Sequence, residues 1–201
     1  TATAEPTSGF TGWTGCDSTS GPGNTSCNVT MTAARTVTAT FARFNLTVSK
    51  TGTGTVQDPT LAINCGAACT AGFAAGSTVT LTATPGPGQA LVSFTGCATL
   101  VGNNCSVVMS QARTVAVKFA SFTLTVTKAG AGTGTITSDI PGINCKPDCS
   151  ESYPAGITVT LTANPAVGSS FTGWSGACTG TGSCSVTMSQ ARSVTGTFTT
   201  P

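Results

Sequence analysis

Ten cysteines and no histidine set the chemistry open to this 201-residue chain. Without imidazole the commonest general base is absent, which removes Ser–His and Cys–His nucleophile systems. The cysteines fall into five local pairs. Cys65–Cys69 and Cys145–Cys149 occupy one recurring place, and Cys16–Cys27, Cys97–Cys105 and Cys178–Cys184 a second. In the second set the flanks stay constant while the enclosed loop changes length, as a staple across a hairpin tip would permit. Such local pairs read as a disulfide framework made in an oxidising compartment. A four-thiolate zinc site is the competing reading, with mixed or free thiols as a third. Zinc ribbons use two-residue knuckles, which are missing here, and the first copy keeps only the second pair. The staples are favoured, and no metal or cofactor is expected.

The other reactive groups are sparse. Of the six acids, Asp58 and Asp139 are read as comparable positions beside turn-forming prolines, where a carboxylate caps a turn. Asp148 and Glu151 are neighbours in one copy alone, and Glu5 and Asp17 have no counterpart, so no catalytic residue is assigned. Gly52-Thr-Gly54 and Gly132-Thr-Gly134 look like phosphate loops but lack the following helix and lysine, and read as tight hairpins. Trp13, Phe94 and Trp174 are the aromatics that would either pack or bind a ligand, each following Phe10, Leu91 or Phe171 by three positions. Three residues apart on a regular strand means opposite faces, so one member of each pair is expected in the core and the other outside. Arg35, Arg113 and Arg192 each follow a Met-x-x-Ala turn and are expected to bond its carbonyls. Lys50 and Lys128 have no recurring acid beside them to catalyse a crosslink to Asn. Asn24, Asn28, Asn45 and Asn104 open glycosylation sequons without further support.

These residues recur because the chain does. Asn45-Leu-Thr-Val-Ser-Lys50 returns as Thr123-Leu-Thr-Val-Thr-Lys128, and Val79-Thr-Leu-Thr-Ala83 as Val159-Thr-Leu-Thr-Ala163. Met31-Thr-Ala-Ala-Arg35 returns as Met109-Ser-Gln-Ala-Arg113 and Met188-Ser-Gln-Ala-Arg192. The period is about 79 residues. Two copies are whole, 45–119 and 123–199. The segment 1–41 matches only the C-terminal half of a copy, which is expected of a piece of a longer polypeptide or of a chain completed by a neighbouring subunit.

Within a copy, Leu46, Val48, Val79 and Leu81 alternate with Thr and Ser, the period-two pattern of half-buried strands. Strands are expected in the middle copy at 45–51, 53–57, 77–84, 90–95, 104–109 and 113–119. The segment Cys65–Phe73 has room for one helical turn at most. Ala42-Arg43-Phe44 and Ala120-Ser121-Phe122 are expected as very short joints that would make a stiff rod. Only 7% of residues are charged and the net charge is +2, against roughly 25% charged in an ordinary domain. That balance argues against a nucleic-acid or anionic-membrane partner. No segment approaches the roughly 18 apolar residues of a membrane span. No secretion leader opens the chain, so it is expected to have been removed or to lie upstream. Threonine, serine and asparagine solvate the surface instead, and low charge repulsion favours self-association.

The ordered set G-T-G-T-V, A-G-x-x-V-T-L-T-A-x-P, F-x-G-W-S-G and V-T-M-x-x-A-R-x-V-x-x-x-F resembles the divergent internalin-type B repeats of bacterial surface proteins. The resemblance covers essentially the whole chain. The middle copy departs from it with Phe94 in place of Trp. It implies a β-grasp-related fold, an extracellular or cell-surface setting, and tandem modules acting as stalk, spacer or adhesion surface. The expectation is therefore a mainly β protein of small disulfide-stapled sheets, structural and non-enzymatic, forming a stalk or self-assembling fibre. The alternatives are an adhesion module contacting carbohydrate or a host surface, and an accessory domain of a secreted enzyme.

Overall fold

The computed structural model describes residues 1–5, 8–66, 69–145 and 149–201. Seventeen strands run in chain order: β1 (Gly9–Thr14), β2 (Ser18–Ser20), β3 (Ser26–Asn28), β4 (Thr38–Thr51), β5 (Gly54–Gln57), β6 (Thr70–Ala74), β7 (Thr78–Pro85), β8 (Ala90–Thr95), β9 (Thr99–Val101), β10 (Asn104–Val108), β11 (Arg113–Ala129), β12 (Gly134–Ser138), β13 (Ser150–Pro154), β14 (Thr158–Pro165), β15 (Ser170–Gly176), β16 (Cys184–Thr187) and β17 (Arg192–Thr199). The protein is mainly β, as its alternating Thr, Val and Leu dictate. It divides into two compact units, Thr1–Thr84 with Ser93–Lys118, and Pro85–Val92 with Phe119–Pro201.

In the first unit Leu46–Thr51 of β4 lie parallel to Arg113–Lys118 of β11. Along β4, Arg43–Thr47 also pair antiparallel with β6, and Thr38–Ala42 with β1. A second sheet has the order β5-β7-β10-β9. The core lies between these sheets. Leu46, Val56, Ile63, Leu81, Met109 and Val115 are completely buried in it, and β7 alternates exposed Thr with buried Val79, Leu81 and Ala83.

The second unit repeats the plan. Leu124–Ala129 of β11 lie parallel to Arg192–Thr197 of β17, with β13 antiparallel to β11 and β15 antiparallel to β17. The second sheet is β12-β14-β16. Leu124, Ile136, Val159, Leu161, Met188 and Val194 are fully buried between them. Each such side chain contributes about 1.5–3 kcal/mol when removed from water.

Two expectations need correction. The joints Ala42-Arg43-Phe44 and Ala120-Ser121-Phe122 are strand interior, within β4 of 14 residues and β11 of 17. Neither joint holds Gly or Pro to break the strand, so the strand that ends one copy simply continues as the first strand of the next. β6 and β13 went unread because Thr-Ala-Gly-Phe-Ala and Ser-Glu-Ser-Tyr-Pro lack β-branched alternation, and pairing with a long neighbour decides their state. The helical turn considered for Cys65–Phe73 lies partly outside the described residues, and its end is β6.

The tight hairpin expected at the glycine motif is not formed, since β4 and β5, like β11 and β12, lie in different sheets, and the glycines serve a close crossing instead. A Cβ on Gly130, at φ +91°, would sit 2.0 Å from the Phe198 carbonyl oxygen, and one on Gly132 2.6 Å from Thr199 backbone. The chain therefore crosses β17 at backbone distance. Gly130→Ala is expected to destabilise the second unit by about 2–4 kcal/mol, read from its urea midpoint.

Candidate functional site

Four of the five staples are built between the two main sheets of a unit rather than along one hairpin, and the fifth ties β1 to the separate two-stranded β2-β3 sheet. Cys97 follows β8 and Cys105 sits in β10, two strands of different sheets, with Cα atoms 5.3 Å apart. Cys178 and Cys184 repeat this between β15 and β16, with Cα atoms 5.7 Å apart. Cys16 joins the end of β1 to Cys27 in β3, at 5.6 Å. Cys65 donates its backbone N–H to Val56 in β5, while the Cys69 carbonyl accepts from Val48 in β4, so Cys65–Cys69 also links one sheet to the other. Cys145–Cys149 does the same through Ile136 and Val126. All ten sulfurs are in disulfides. Cys65, Cys105, Cys145 and Cys184 are completely buried.

The aromatic pairs contradict the opposite-face expectation. A bulge between Phe10 and Gly12, and another between Phe171 and Gly173, shifts the register by one residue. The extra residue turns Trp13 and Trp174 onto the side of their phenylalanines. Ring centroids are 5.5 Å apart for Phe10–Trp13 and 4.8 Å for Phe171–Trp174. Phe94 and Trp174 are buried, each 5% exposed. The Trp174 indole N–H donates to the Gly182 carbonyl at 2.7 Å. Trp13 is half-buried. Its indole N–H and the Arg192 Nε are the enclosed side-chain donors without a partner among the described residues.

The acids divide by structure differently from the sequence reading. Gln57 bridges Asn64 as Thr137 bridges Asn144, so the counterpart of Asp58 is Ser138, one residue before Asp139. Asp58 is 3% exposed and accepts from the Ile63 N–H at 2.6 Å, the Thr60 N–H at 3.0 Å and the Thr60 hydroxyl. Ser138 accepts from the Ile143 N–H at 3.1 Å in the same way. Burial opposes ionisation of Asp58. The hydrogen bonds from the Thr60 hydroxyl, then the Ile63 and Thr60 amides, outweigh it and hold its pKa below the usual 3.8. Because the folded value is depressed, this contribution is complete above pH 3.8 and is lost as pH falls through the folded value. Asp58→Ser, which installs the third copy's neutral acceptor, is therefore expected to lose that contribution at neutral pH and to make the first unit's stability fall less steeply on acidification; denaturant melts between pH 2 and 7 read the shallower slope.

Asp139 is held low first by the Thr160 N–H at 2.8 Å, against slight desolvation, with the Ile140 N–H also contributing. Asp17 is lowered first by the Thr30 N–H at 2.6 Å and next by Arg35, 2.8 Å away. Glu151 accepts from the Ser152 N–H, and Asp148 lies outside the described residues. The arginines do not share one role. Arg35 donates to the Gly15 carbonyl and Asp17, whereas Arg192 donates to the Ser189 hydroxyl. Lys50 and Lys128 donate to the carbonyls of Gly52 and Gly134, each at 3.1 Å.

The threonine rows are hydrogen-bonded across strands, Thr158 to Thr187 at 3.1 Å and Thr123 to Ser152 at 3.2 Å. Among the described residues no cluster of metal-ligating side chains occurs, and no helix is long and apolar enough to cross a membrane. Among the described residues the arrangement gathers stapled cores and paired hydroxyls. The sequence reading missed the Trp13 donor, whose counterpart in the third copy, Trp174, donates to the Gly182 carbonyl within the Cys178–Cys184 loop.

Among solved structures, the T-13 major pilin of Streptococcus pyogenes is 12% identical, covering 79% of this chain and 97% of its own, with a TM-score of 0.38. A second S. pyogenes major pilin gives 11% identity, 78% and 96% coverage, and a TM-score of 0.32. The Bacillus anthracis TIE protein gives 9% identity over 99% of this chain and 42% of its own, with a TM-score of 0.31. Overlaps this low carry no argument about fold or function. No curated protein matches the chain. The sequence pattern of the divergent InlB B-repeat domain matches three times, over residues 1–45, 44–123 and 122–201, leaving no part of the chain unmatched. The chain belongs to the divergent InlB B-repeat family.

Proposed function

We propose that this chain is a structural, non-catalytic repeat segment of a bacterial surface protein, a stalk or spacer that holds its form outside the cell. One observation carries the reading: β4 closes the first copy through β1 and opens the middle copy through β6 and β11. A shared strand leaves no hinge between those copies, and cross-sheet disulfides lock each core against loss of metals, chaperones or reducing power outside. A sparse charge, with hydroxyl pairs across the strands, leaves the surface little affected by salt. Family membership supports the surface setting.

Immunogold labelling of intact source cells tests it. Label on the exterior of unpermeabilised cells, removed by external protease, is the expected result. Label appearing only after permeabilisation would sink the reading.

A further inference from the structure

The loop that follows β12 is closed in the second unit, while its counterpart after β5 in the first is open. In the third copy the Asp139 N–H donates to the Thr160 carbonyl at 3.0 Å, and the Thr160 N–H donates to the Asp139 carboxylate at 2.8 Å. Tyr153, 2% exposed, fills the space behind that loop, its hydroxyl 3.0 Å from the Ser138 hydroxyl. The middle copy has Pro59 at the place of Asp139 and Phe73 at the place of Tyr153. Proline brings neither an N–H nor a carboxylate, so neither bond can form with Thr80. Phe73 lacks the hydroxyl and stays half-buried. A groove of about 520 Å³ results, lined by β6, β7 and the loop from Asp58 to Ala62. That volume falls within the roughly 300–1,000 Å³ of small-ligand sites.

The lining is mixed in a way that selects its occupant. Phe73 and Pro59 offer apolar faces, and Thr60, Thr78 and Thr80 offer hydroxyls that both donate and accept. Exposed Arg43 also lines the groove, where the third copy has Ser121. A Cβ on Gly72 would come within 3.3 Å of the Arg43 Nε, so the glycine gives the guanidinium room to lie over β6. There it donates to the Gly72 carbonyl at 2.5 Å, and among the described residues it has no acidic partner. The buried Asp58 carboxylate is already engaged by the Ile63 and Thr60 amides and the Thr60 hydroxyl. An apolar face ringed by two-way hydrogen-bonding groups, with one donor-only guanidinium, suits an uncharged ring that bears many hydroxyls. We propose that the first unit carries a binding site for a neutral pyranose residue. The sugar's C–H face packs on Phe73, and its hydroxyls bond Arg43 and the threonines of β7. This adds a recognition role to the structural one, and it is confined to the middle copy because Asp139 and Tyr153 close the same place in the third.

Saturation-transfer NMR on the full oxidised chain tests the site, with cellobiose, lactose, mannobiose and chitobiose each at about 10 mM. Transfer to at least one of them is expected, strongest at ring C–H protons, with a Kd of about 1 mM. Arg43→Ser installs the third copy's residue at an exposed position and should weaken binding about tenfold or more while leaving the melting temperature unchanged. Pro59→Asp combined with Phe73→Tyr copies the closed loop and should abolish transfer. If that double variant does not fold, Thr80→Val takes its place, with the same loss expected as for Arg43→Ser. No transfer to any of the four disaccharides would overturn the proposal, and would leave the stalk reading untouched. Undiminished transfer in folded variants would also overturn it, since the sugar would then sit elsewhere. So would slowed exchange of the Thr80 amide on adding a peptide of residues 124–128 without any sugar transfer, since the occupant would then be a strand.

Discussion

Met188→Ala is expected to destabilise the second unit by about 2–5 kcal/mol, while Met31→Ala changes the first by less than about 0.5 kcal/mol. The two methionines occupy the same place in the same motif, but one is completely buried and the other 70% exposed. Truncating Met188 leaves a cavity among Leu161, Val186 and Val194, which the rigid sheets around it cannot collapse to fill. Met31 has little to lose, because most of its surface already faces water. Val194→Ala against Val37→Ala should repeat the contrast on a smaller scale. Trp174 reports the second unit and Trp13 the first, so denaturant melts of single-tryptophan backgrounds separate the two. Equal costs at Met31 and Met188 would mean that the first copy has a closed core in solution.

Reduction is the second large effect. By the chain-entropy account, loops with sequence separations of 4 to 11 contribute about 2–3 kcal/mol each. The third copy carries two staples, Cys145–Cys149 and Cys178–Cys184, so it loses about 4–6 kcal/mol when both open. For a unit of this size that lowers the melting temperature by roughly 20 °C or more, yet leaves β-structure in place at room temperature. Circular dichroism melts with and without dithiothreitol read the shift, and mass spectrometry should find the native chain ten hydrogens lighter than the reduced one. The staples should not open together. Cys16–Cys27 is half-buried at both ends, whereas the others have at least one fully buried sulfur, so it is expected to react first. Complete unfolding at room temperature on reduction would show that the apolar cores alone cannot hold the sheets.

Strand identity was legible wherever β-branched residues alternate, as in Val79-Thr-Leu-Thr-Ala83, because burial of one face imposes that alternation directly. The local cysteine pairs could be read from spacing alone, but their span between sheets could not, since it depends on β8 and β10 parting into different layers. The tandem plan was legible from Met-x-x-Ala-Arg and its neighbours. What failed had non-local causes. β6 and β13 are strands because β4 and β11 offer them an edge, and nothing in Thr-Ala-Gly-Phe-Ala announces that. The phase of Phe10 and Trp13 turned on a bulge at Gly12 that converts an odd spacing into a same-side one. Asp58 was matched with Asp139 by residue type, when its true counterpart, Ser138, shares only the ability to accept from an isoleucine amide. The unequal burial of Met31 and Met188 could not be read from the motif they share, because it reflects what lies opposite them.

The strand shared between copies also bears on how such an array changes length over generations. The period of the gene and the period of the fold are out of phase, since a copy boundary such as Ala42-Arg43-Phe44 falls inside β4. Unequal recombination that deletes or duplicates one whole period, wherever it cuts, rejoins a strand's closing half to another strand's opening half. Each product again pairs a first strand with a last, and each staple keeps its partner, because the two cysteines of every pair lie close together in the same copy. Copy number is thus free to drift without a misfolded intermediate, and length becomes a heritable variable that selection adjusts separately from the fold.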